Sequence, residues 1–500
     1  MQKINVDALT NQTIDQFQKA SYGLFSITGR FLETFEQGIY GVVIAKPTKR
    51  MKIALGADRE LLVVISTFPD QQQRTIKYLK HKIEEAEGRF ESTLAIVVHF
   101  DSEGGNKLKN WGRSLSISVL PLGWLDRPES AEQLENLICT ELYSHDPFDI
   151  TGPVSDDAHF YGRRDEAIDL ARKLQGGQIR SCLGIRKIGK TSVINRVIHE
   201  IEVKHKCLCI MIDCSRDDIW PMSAGGLLGS IADSISTANK SGVAYFSIQP
   251  IDQKTTIAQA RETLHHAILE SGVPVILIFD EIDYITPGSP TNKKWFEEFN
   301  IFWRNFRAIY QEIARGGAKL SILIGGVSAH WFTVESINGI ENAALAFVPE
   351  EYLSPMATGA TVAMIKKLGR IAGIQFDDAS AEYIAKVTAN MPYWARKACS
   401  YIHRIIPISE RPFSPAQQRV KSLVDRFVSE EGSAIAEVAL QHLFRVHPDL
   451  RQPAQLLQQG TPEKVSEKQR RSLRRYGIFD QQQNTISGAM ISSAIFTLSS

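Results

Sequence analysis

Gly184-Ile185-Arg186-Lys187-Ile188-Gly189-Lys190-Thr191, with Ser192 next, decides the reading of this 500-residue chain. The string is G-x-x-x-x-G-K-[ST], a loop that wraps phosphates. Its glycines let backbone N–H groups curl round an anion with no Cβ in the way. Lys190 supplies a point charge to the outer phosphates, and Thr191 a hydroxyl to a divalent cation. By residue frequencies alone, about one chain in fifty of this length would hold the string, so context decides. Here a short apolar strand (Ile179–Leu183) precedes it, and an amphipathic helix starting TSVINRVIHEI follows, its N-terminus pointing at the anion.

About ninety residues on stands Val275-Ile-Leu-Ile-Phe-Asp280-Glu281-Ile-Asp283. Five apolar residues make a buried parallel strand, and Asp280 emerges at its carboxyl end, where open α/β sheets bind ligands. Asp280 is the candidate Mg²⁺ ligand with Thr191. Glu281 is the candidate group that orients and deprotonates the attacking water, acting with Lys190. Asp283 reads equally as support for that pair or as a helix cap. ATP, or another nucleoside triphosphate, with Mg²⁺ is the expected ligand.

Working outward, strands at 207–213 and 320–325 join Ile179–Leu183 and Val275–Asp280, with helical patterns between. That alternation predicts a parallel sheet with right-handed crossovers over residues 150–350. From residue 351 to 412 the pattern is helical, as for a lid. Residues 413–500 read as helices, a basic stretch and a short hairpin, the order of a winged helix. Residues 1–145 read as a separate α/β domain acting as sensor or effector: a helix at 16–36, strands at 40–45, 51–55 and 61–66, a helix at 71–87, and strands at 94–100 and 115–120. Residues 144–152, SHDPFDITG, make a linker.

Composition excludes some classes. With 43% apolar and 23% charged residues the chain is ordinary for a globular protein, and a net charge of +1 leaves nucleic-acid binding to a local patch. No apolar run reaches membrane-spanning length, and the amino end lacks a basic segment followed by an apolar one; a cytoplasmic protein is expected. The six cysteines show no CxxC pair and read as reduced, buried thiols; Cys207 and Cys209 share a strand face but have no further ligand nearby.

With both motifs placed, residues 156–410 resemble the AAA+ superfamily, most closely STAND-type signalling ATPases and the related archaeal and origin-recognition ATPases. His159-Phe160-Tyr161-Gly162-Arg163-Arg164-Asp165-Glu166 is similar to the family's F-x-G-R-x-x-E box; the resemblance implies that Phe160 or Tyr161 stacks near adenine, against a plain reading as a helix entry with solvated arginines. Residues 321–328, SILIGGVS, resemble the sensor-1 strand, with Ser328 the polar group reading the γ-phosphate and His330 a weaker candidate. Tyr352-Leu353-Ser354-Pro355-Met356 resembles the stretch leading into the lid. Asn390-Met391-Pro392-Tyr393-Trp394 stands where relatives carry G-x-P; the resemblance implies that Pro392 packs on the nucleotide and that Arg396 reaches phosphate, the alternative being a solvated helix face. No arginine finger is assigned.

The element order of residues 1–145 is also that of restriction-endonuclease-like folds, which need acids and an E-x-K lysine on adjacent strands. Glu33, Asp58 and Glu60 are the acids placed by position, and the lysine is missing, so a degenerate version is expected over an active nuclease. In the basic stretch, residues 463–475 hold six basic and two acidic residues, a local charge of +4. Lys468, Arg470, Arg471, Arg474 and Arg475 either meet phosphates of double-stranded DNA or dock the helix on an acidic surface of the core. The reading that follows is a STAND-like ATPase switch with a protein partner and nucleotide-dependent self-assembly. The alternatives are a DNA-binding ATPase of the origin-recognition or transposition-regulator type, and an ATP-gated nuclease.

Overall fold

Residues 25–35, FSITGRFLETF, mix aromatic and β-branched side chains with polar ones at near-alternate positions, which fits a strand with one covered face. In the computed structural model they form β1 (Phe25–Phe35), after helix α1 (Val6–Ala20). The helix expected at 16–36 is therefore corrected: it ends at Ala20, and β1 pairs antiparallel with β2 (Gly38–Pro47) along its whole length. The structure describes residues 6–86, 88–91, 94–115, 117–125, 127–150, 152–154, 160–204, 207–251, 256–291 and 293–499. Glu87 of the expected helix, Thr151 of the linker and His159 of the box lie outside them.

The strand expected at 51–55 is also corrected. It is helix α2 (Lys49–Leu55), because Met51 and Leu55, four residues apart, bury one face, and Gly56 closes the turn in the left-handed region. Then β3 (Leu61–Ser66), α3 (Gln73–Glu85) and β4 (Leu94–His99) fall where the pattern placed them. The last expected strand starts later, as β5 (Ser118–Gly123), because the N–H groups of Leu115 and Ile117 turn back to the Gly112 carbonyl of α4 (Gly104–Ser114); Ser116 lies outside the described residues, and α5 (Ala131–Tyr143) follows. The sheet runs β1-β2-β3-β4-β5. Its first three strands form an antiparallel meander and its last three are parallel. Apolar clusters cover both faces, one around Val63, Ile65 and Trp124, the other around Val64, Val97 and Tyr78. Residues 1–148, 366–377 and 400–416 make up this compact unit.

The second unit takes in residues 149–365, 378–399 and 417–500. Its order is α6 (Arg164–Gln175), β6 (Ile179–Leu183), α7 (Lys190–Lys204), β7 (Leu208–Asp213), α8 (Ala224–Ser241), β8 (Tyr245–Ser247), α9 (Ile257–Glu270), β9 (Val275–Asp280), α10 (Trp295–Arg315) and β10 (Leu320–Gly326). A small hairpin, β11 (Ser336–Ile337) and β12 (Ile340–Glu341), precedes the helices α11 (Thr358–Ile371), α12 (Asp378–Val387) and α13 (Pro392–Ile405), of which α11 beyond residue 365 and α13 beyond residue 399 belong to the first unit. After these come α14 (Gln417–Phe427), α15 (Ser433–Val446), α16 (Arg451–Gln458) and α17 (Glu467–Arg475). The hairpin β13 (Phe479–Asp480) and β14 (Thr485–Ile486) follows as expected, and a last helix, α18 (Gly488–Ser499), was not foreseen.

The sheet is parallel throughout, in the order β6-β10-β9-β7-β8. Tyr352 bridges Leu183 on the outer side of β6, so the strand feeding the phosphate loop is flanked on both sides. Alternate side chains sort to two apolar layers. Ile276, Ile278 and Leu323 pack with α6 and α7, while Leu277, Phe279 and Ile322 pack with α8 to α10. In α10, Trp295, Phe299, Phe302, Trp303 and Phe306 are all fully buried, each contributing about 1.5–3 kcal/mol. That rigid slab fixes the carboxyl ends of β6, β9 and β10, where the motifs meet.

Candidate nucleotide-binding site

The loop from Gly184 to Gly189 turns by using backbone conformations that L side chains avoid. Gly184, Lys187 and Gly189 have φ of 150°, 65° and 106°. At Gly189 a Cβ would also stand 3.1 Å from a guanidinium nitrogen of Arg163. Ile185 and Ile188 are buried anchors beneath the loop. Lys190 opens α7 and is itself buried; its Nζ donates to the carbonyls of Gly184 (3.1 Å) and Ile185 (3.4 Å), so the ammonium lies against the concave side of the loop. Thr191 Oγ1 donates to Asp280 Oδ2 at 3.0 Å, joining the two motifs directly.

Asp280 is buried at the end of β9, and its Oδ1 accepts the Glu281 N–H at 3.0 Å. Burial pushes its pKa up, the neighbouring Glu281 charge adds to this, and the Thr191 hydroxyl opposes it. A desolvated carboxylate beside a hydroxyl and a second carboxylate is a donor set that a hard divalent cation suits. Glu281 adopts left-handed backbone angles (φ 51°, ψ 46°) and lines the cleft. Strain of this kind persists where the surroundings over-determine it, as at reacting groups. Asp283 is no helix cap: it is half-buried, and it accepts the Val327 N–H at 2.7 Å, tying β9's exit to that of β10.

The cleft above the loop, about 860 Å³ with part of it open to solvent, is lined by Arg186, Lys187, Gly189, Lys190, Thr191, Ser192, Glu281, Pro392 and Arg396. Ile150 and Gly152 of the linker, with Pro153 and Val154 just after it, supply another wall, a role their turn-rich composition hid. Ser192 holds that wall, its Oγ accepting the Val154 N–H at 3.0 Å. A side slot sharing Val154, Gly189, Pro392 and Arg396 is lined by Phe160, Tyr161, Val193, Met356 and Met364, a largely apolar setting. Arg396 is buried and its guanidinium lies 5.9 Å from the Tyr161 ring centroid, which corrects the reading of a solvated helix face. Asn390 takes the left-handed conformation (φ 55°) expected in place of glycine, and Pro392 then opens α13.

Ser328 goes elsewhere. It does not line this cleft; its Oγ lies 2.8 Å from His447 Nε2, which in turn lies 2.9 Å from the Tyr476 hydroxyl. Arg475 pairs with Glu350 at 2.5 Å and lies over Tyr352, so one end of α17 is docked on the core. Arg470 and Arg474 are half-buried and sit near Glu467 of their own helix, while Lys468 and Arg471 are exposed.

Three features escaped the sequence. Arg163 is buried, not solvated, and donates to the carbonyls of Ile188 and Ser354. Gly325 abuts Asp280: a Cβ there would stand 2.6 Å from Asp280 Oδ1. A glycine pair closing a β-branched strand was the available signal for that close approach. His442 of α15 is held neutral, its pKa pushed down to about 4 by burial and by the charges of Arg445, Arg186 and Lys190.

The nuclease acids are not brought together. Glu33 sits opposite Tyr40 and is engaged by Tyr78 and Lys82, whereas Glu60 precedes β3 at the other end of β2, held by Thr28 and Arg89. The two are roughly 20 Å apart along the sheet. Asp58 is exposed beside Lys52. The ATP-gated nuclease reading loses its site. All six cysteines are free and buried, and burial raises the Cys209 thiol to about 12. Among the described residues no helix is long and apolar enough to cross a membrane.

No protein-family description matches the chain, and no curated protein is similar to it. Solved structures are. The Walker-type ATPase of Pyrococcus abyssi is 15% identical, with a TM-score of 0.47, over 70% of this chain and 99% of that one. The Aeropyrum pernix Orc1 protein in complex with DNA is 11% identical, with a TM-score of 0.36, over 70% and 95%. The Thermotoga maritima RuvB Holliday junction branch migration motor is 14% identical, with a TM-score of 0.31, over 59% and 80%.

Proposed function

We propose that this chain is a P-loop ATPase of the AAA+ type, origin-recognition-like, that binds and hydrolyses ATP in the cleft above residues 184–191. The observation that carries this reading is the convergence of Lys190, Thr191 and Glu281 on one cleft, with Asp280 hydrogen-bonded to Thr191 across 89 residues of sequence. Backbone N–H groups of the loop and Lys190 bind the phosphates. Thr191 and Asp280 would hold Mg²⁺, which when bound neutralises charge on the β- and γ-phosphates. Glu281 orients the attacking water and takes its proton. Tyr161 and Pro392 flank the base, and Arg396 faces the phosphates from the lid. Replacing Lys190 by alanine tests the assignment: ATP binding should weaken at least about a hundredfold, and undiminished affinity would sink it.

Within that class, the helix–hairpin segment with the exposed Lys468 and Arg471 supports engagement of duplex DNA by phosphate contacts. A second reading, a nucleotide-operated switch of the STAND kind with a protein partner, is favoured by the Ser328–His447–Tyr476 chain and the Arg475–Glu350 pair, which hold α17 to the core. Duplex-DNA affinity against salt separates them. Log affinity falling with log salt at a slope of about −2 to −4, shallower in Lys468→Glu and Arg471→Glu, supports DNA binding. A flat slope, or no binding near roughly 100 mM salt, leaves the switch.

A further inference from the structure

Arginines are almost never fully buried without a charged partner. Arg163 is 4% exposed, and its nearest carboxylate, Glu166, is 3.9 Å away on a largely exposed side chain. What engages the guanidinium is backbone. One nitrogen donates to the Ile188 carbonyl at 2.6 Å and the other to the Ser354 carbonyl at 2.5 Å. Burial draws its pKa down from the usual value, the cost of keeping a charge there. Both acceptors matter by position. Ile188 lies between Lys187 and Gly189, two of the left-handed residues of the phosphate loop, and its carbonyl belongs to the peptide whose N–H is that of Gly189. Ser354 belongs to the segment that leaves the edge of β6 for the lid, where Leu353 N–H donates to Leu183.

A planar fork with fixed donor directions holds two carbonyls in one geometry, which a rotating ammonium does not. The strained loop conformation needs such over-determination to persist. We infer that Arg163 is a positioning residue for phosphate binding. Its guanidinium locks the Ile188–Gly189 peptide so that the Gly189 and Lys190 N–H groups face the phosphates, and it ties that peptide to the lid entry at Ser354. The inference rests on the nucleotide reading above and adds to it the group that shapes the loop.

The test is steady-state ATP hydrolysis and thermal melting of the full chain and its Arg163→Ala and Arg163→Lys variants, with wild type and Lys190→Ala alongside. Loss of loop geometry removes binding from ground and transition states alike, so KM for MgATP should rise about tenfold in Arg163→Ala while kcat stays within about threefold. Arg163→Lys should recover melting temperature without recovering KM, and guanidinium ion at low millimolar concentration should bring the KM of Arg163→Ala back toward wild type. An unchanged KM, a fall in kcat and melting temperature at constant KM, or full recovery of KM by lysine would each overturn the proposal. If Arg163→Ala fails to fold, Arg163→Lys and Arg163→Gln carry the same comparison. Wild type failing to bind ATP would remove the nucleotide reading itself; wild type binding with KM indifferent to Arg163 would remove only this inference.

Discussion

Replacing Gly325 by alanine puts one methyl group against the Asp280 carboxylate. The new Cβ would stand 2.6 Å from Asp280 Oδ1 and 3.0 Å from Ile194 Cδ1. An ordinary carbon–oxygen contact is about 3.3 Å, so one partner must yield by about 0.7 Å. β10 cannot retreat easily, since β6 and β9 hydrogen-bond it on both sides. Asp280 has the shorter side chain but is fixed by the Glu281 N–H and the Thr191 hydroxyl. The expected outcome is displacement of the Asp280 carboxylate and stretching of its 3.0 Å bond to Thr191. Overpacking of this size costs about 1–3 kcal/mol in stability. A shift approaching 1 Å at a reacting constellation costs about 10–100-fold in rate, or about 1.4–2.7 kcal/mol of barrier. The loop itself is untouched, so ATP affinity should change by less than about threefold. Steady-state hydrolysis, binding of a fluorescent ATP analogue and thermal melting read the three quantities separately. A variant with kcat within twofold of wild type and an unshifted melting curve would refute the claim that this close approach positions Asp280.

Two further outcomes follow from the same geometry. Glu281→Gln keeps the shape and removes the base: hydrolysis should fall about 10²–10⁴-fold with ATP binding retained, and size-exclusion chromatography of the ATP-trapped variant reads nucleotide-dependent self-assembly; hydrolysis at the wild-type rate would remove Glu281 from the mechanism. His442, at about 4 in the fold against about 6.5 when unfolded, is neutral in the native state and binds its proton on unfolding. Its contribution is therefore complete above pH 6.5 and is lost as pH falls from 6.5 toward 4, by about 2 kcal/mol at pH 5 and about 3 kcal/mol at most. Thermal melts at pH 7.5 and 5.0 should show this fall, reduced in His442→Asn; an identical pH slope in the variant would count against it.

How much of this was legible in order along the chain differs by element. The phosphate loop and the Val275–Asp280 strand lay where their motifs placed them, because each is a contiguous segment whose chemistry is spent within a few residues. The region at 16–36 did not, because a short apolar pattern satisfies a helix or a strand, and what decided was the antiparallel pairing of Phe25–Phe35 with Gly38–Pro47. Met51–Leu55 departs from the strand expectation for the mirror reason: two apolar residues four apart bury a helix face that a strand pattern ignores.

The sequence alone determined that the chain carries a G-x-x-x-x-G-K-[ST] loop and a strand-end acid pair on a parallel sheet, since backbone conformation and burial there follow from local residue type. Tertiary structure decided the rest of the site. It placed Arg163 on Ile188 and Ser354, Gly325 under Asp280, Val154 on Ser192 and Arg396 by Tyr161, and it drew Ser328 away to His447. None of these pairs is close in sequence; each exists only once the sheet has stacked its strand ends and the helices have closed over them. Distances of a few ångströms between segments tens to hundreds of residues apart are set by packing, which one segment read by itself does not encode.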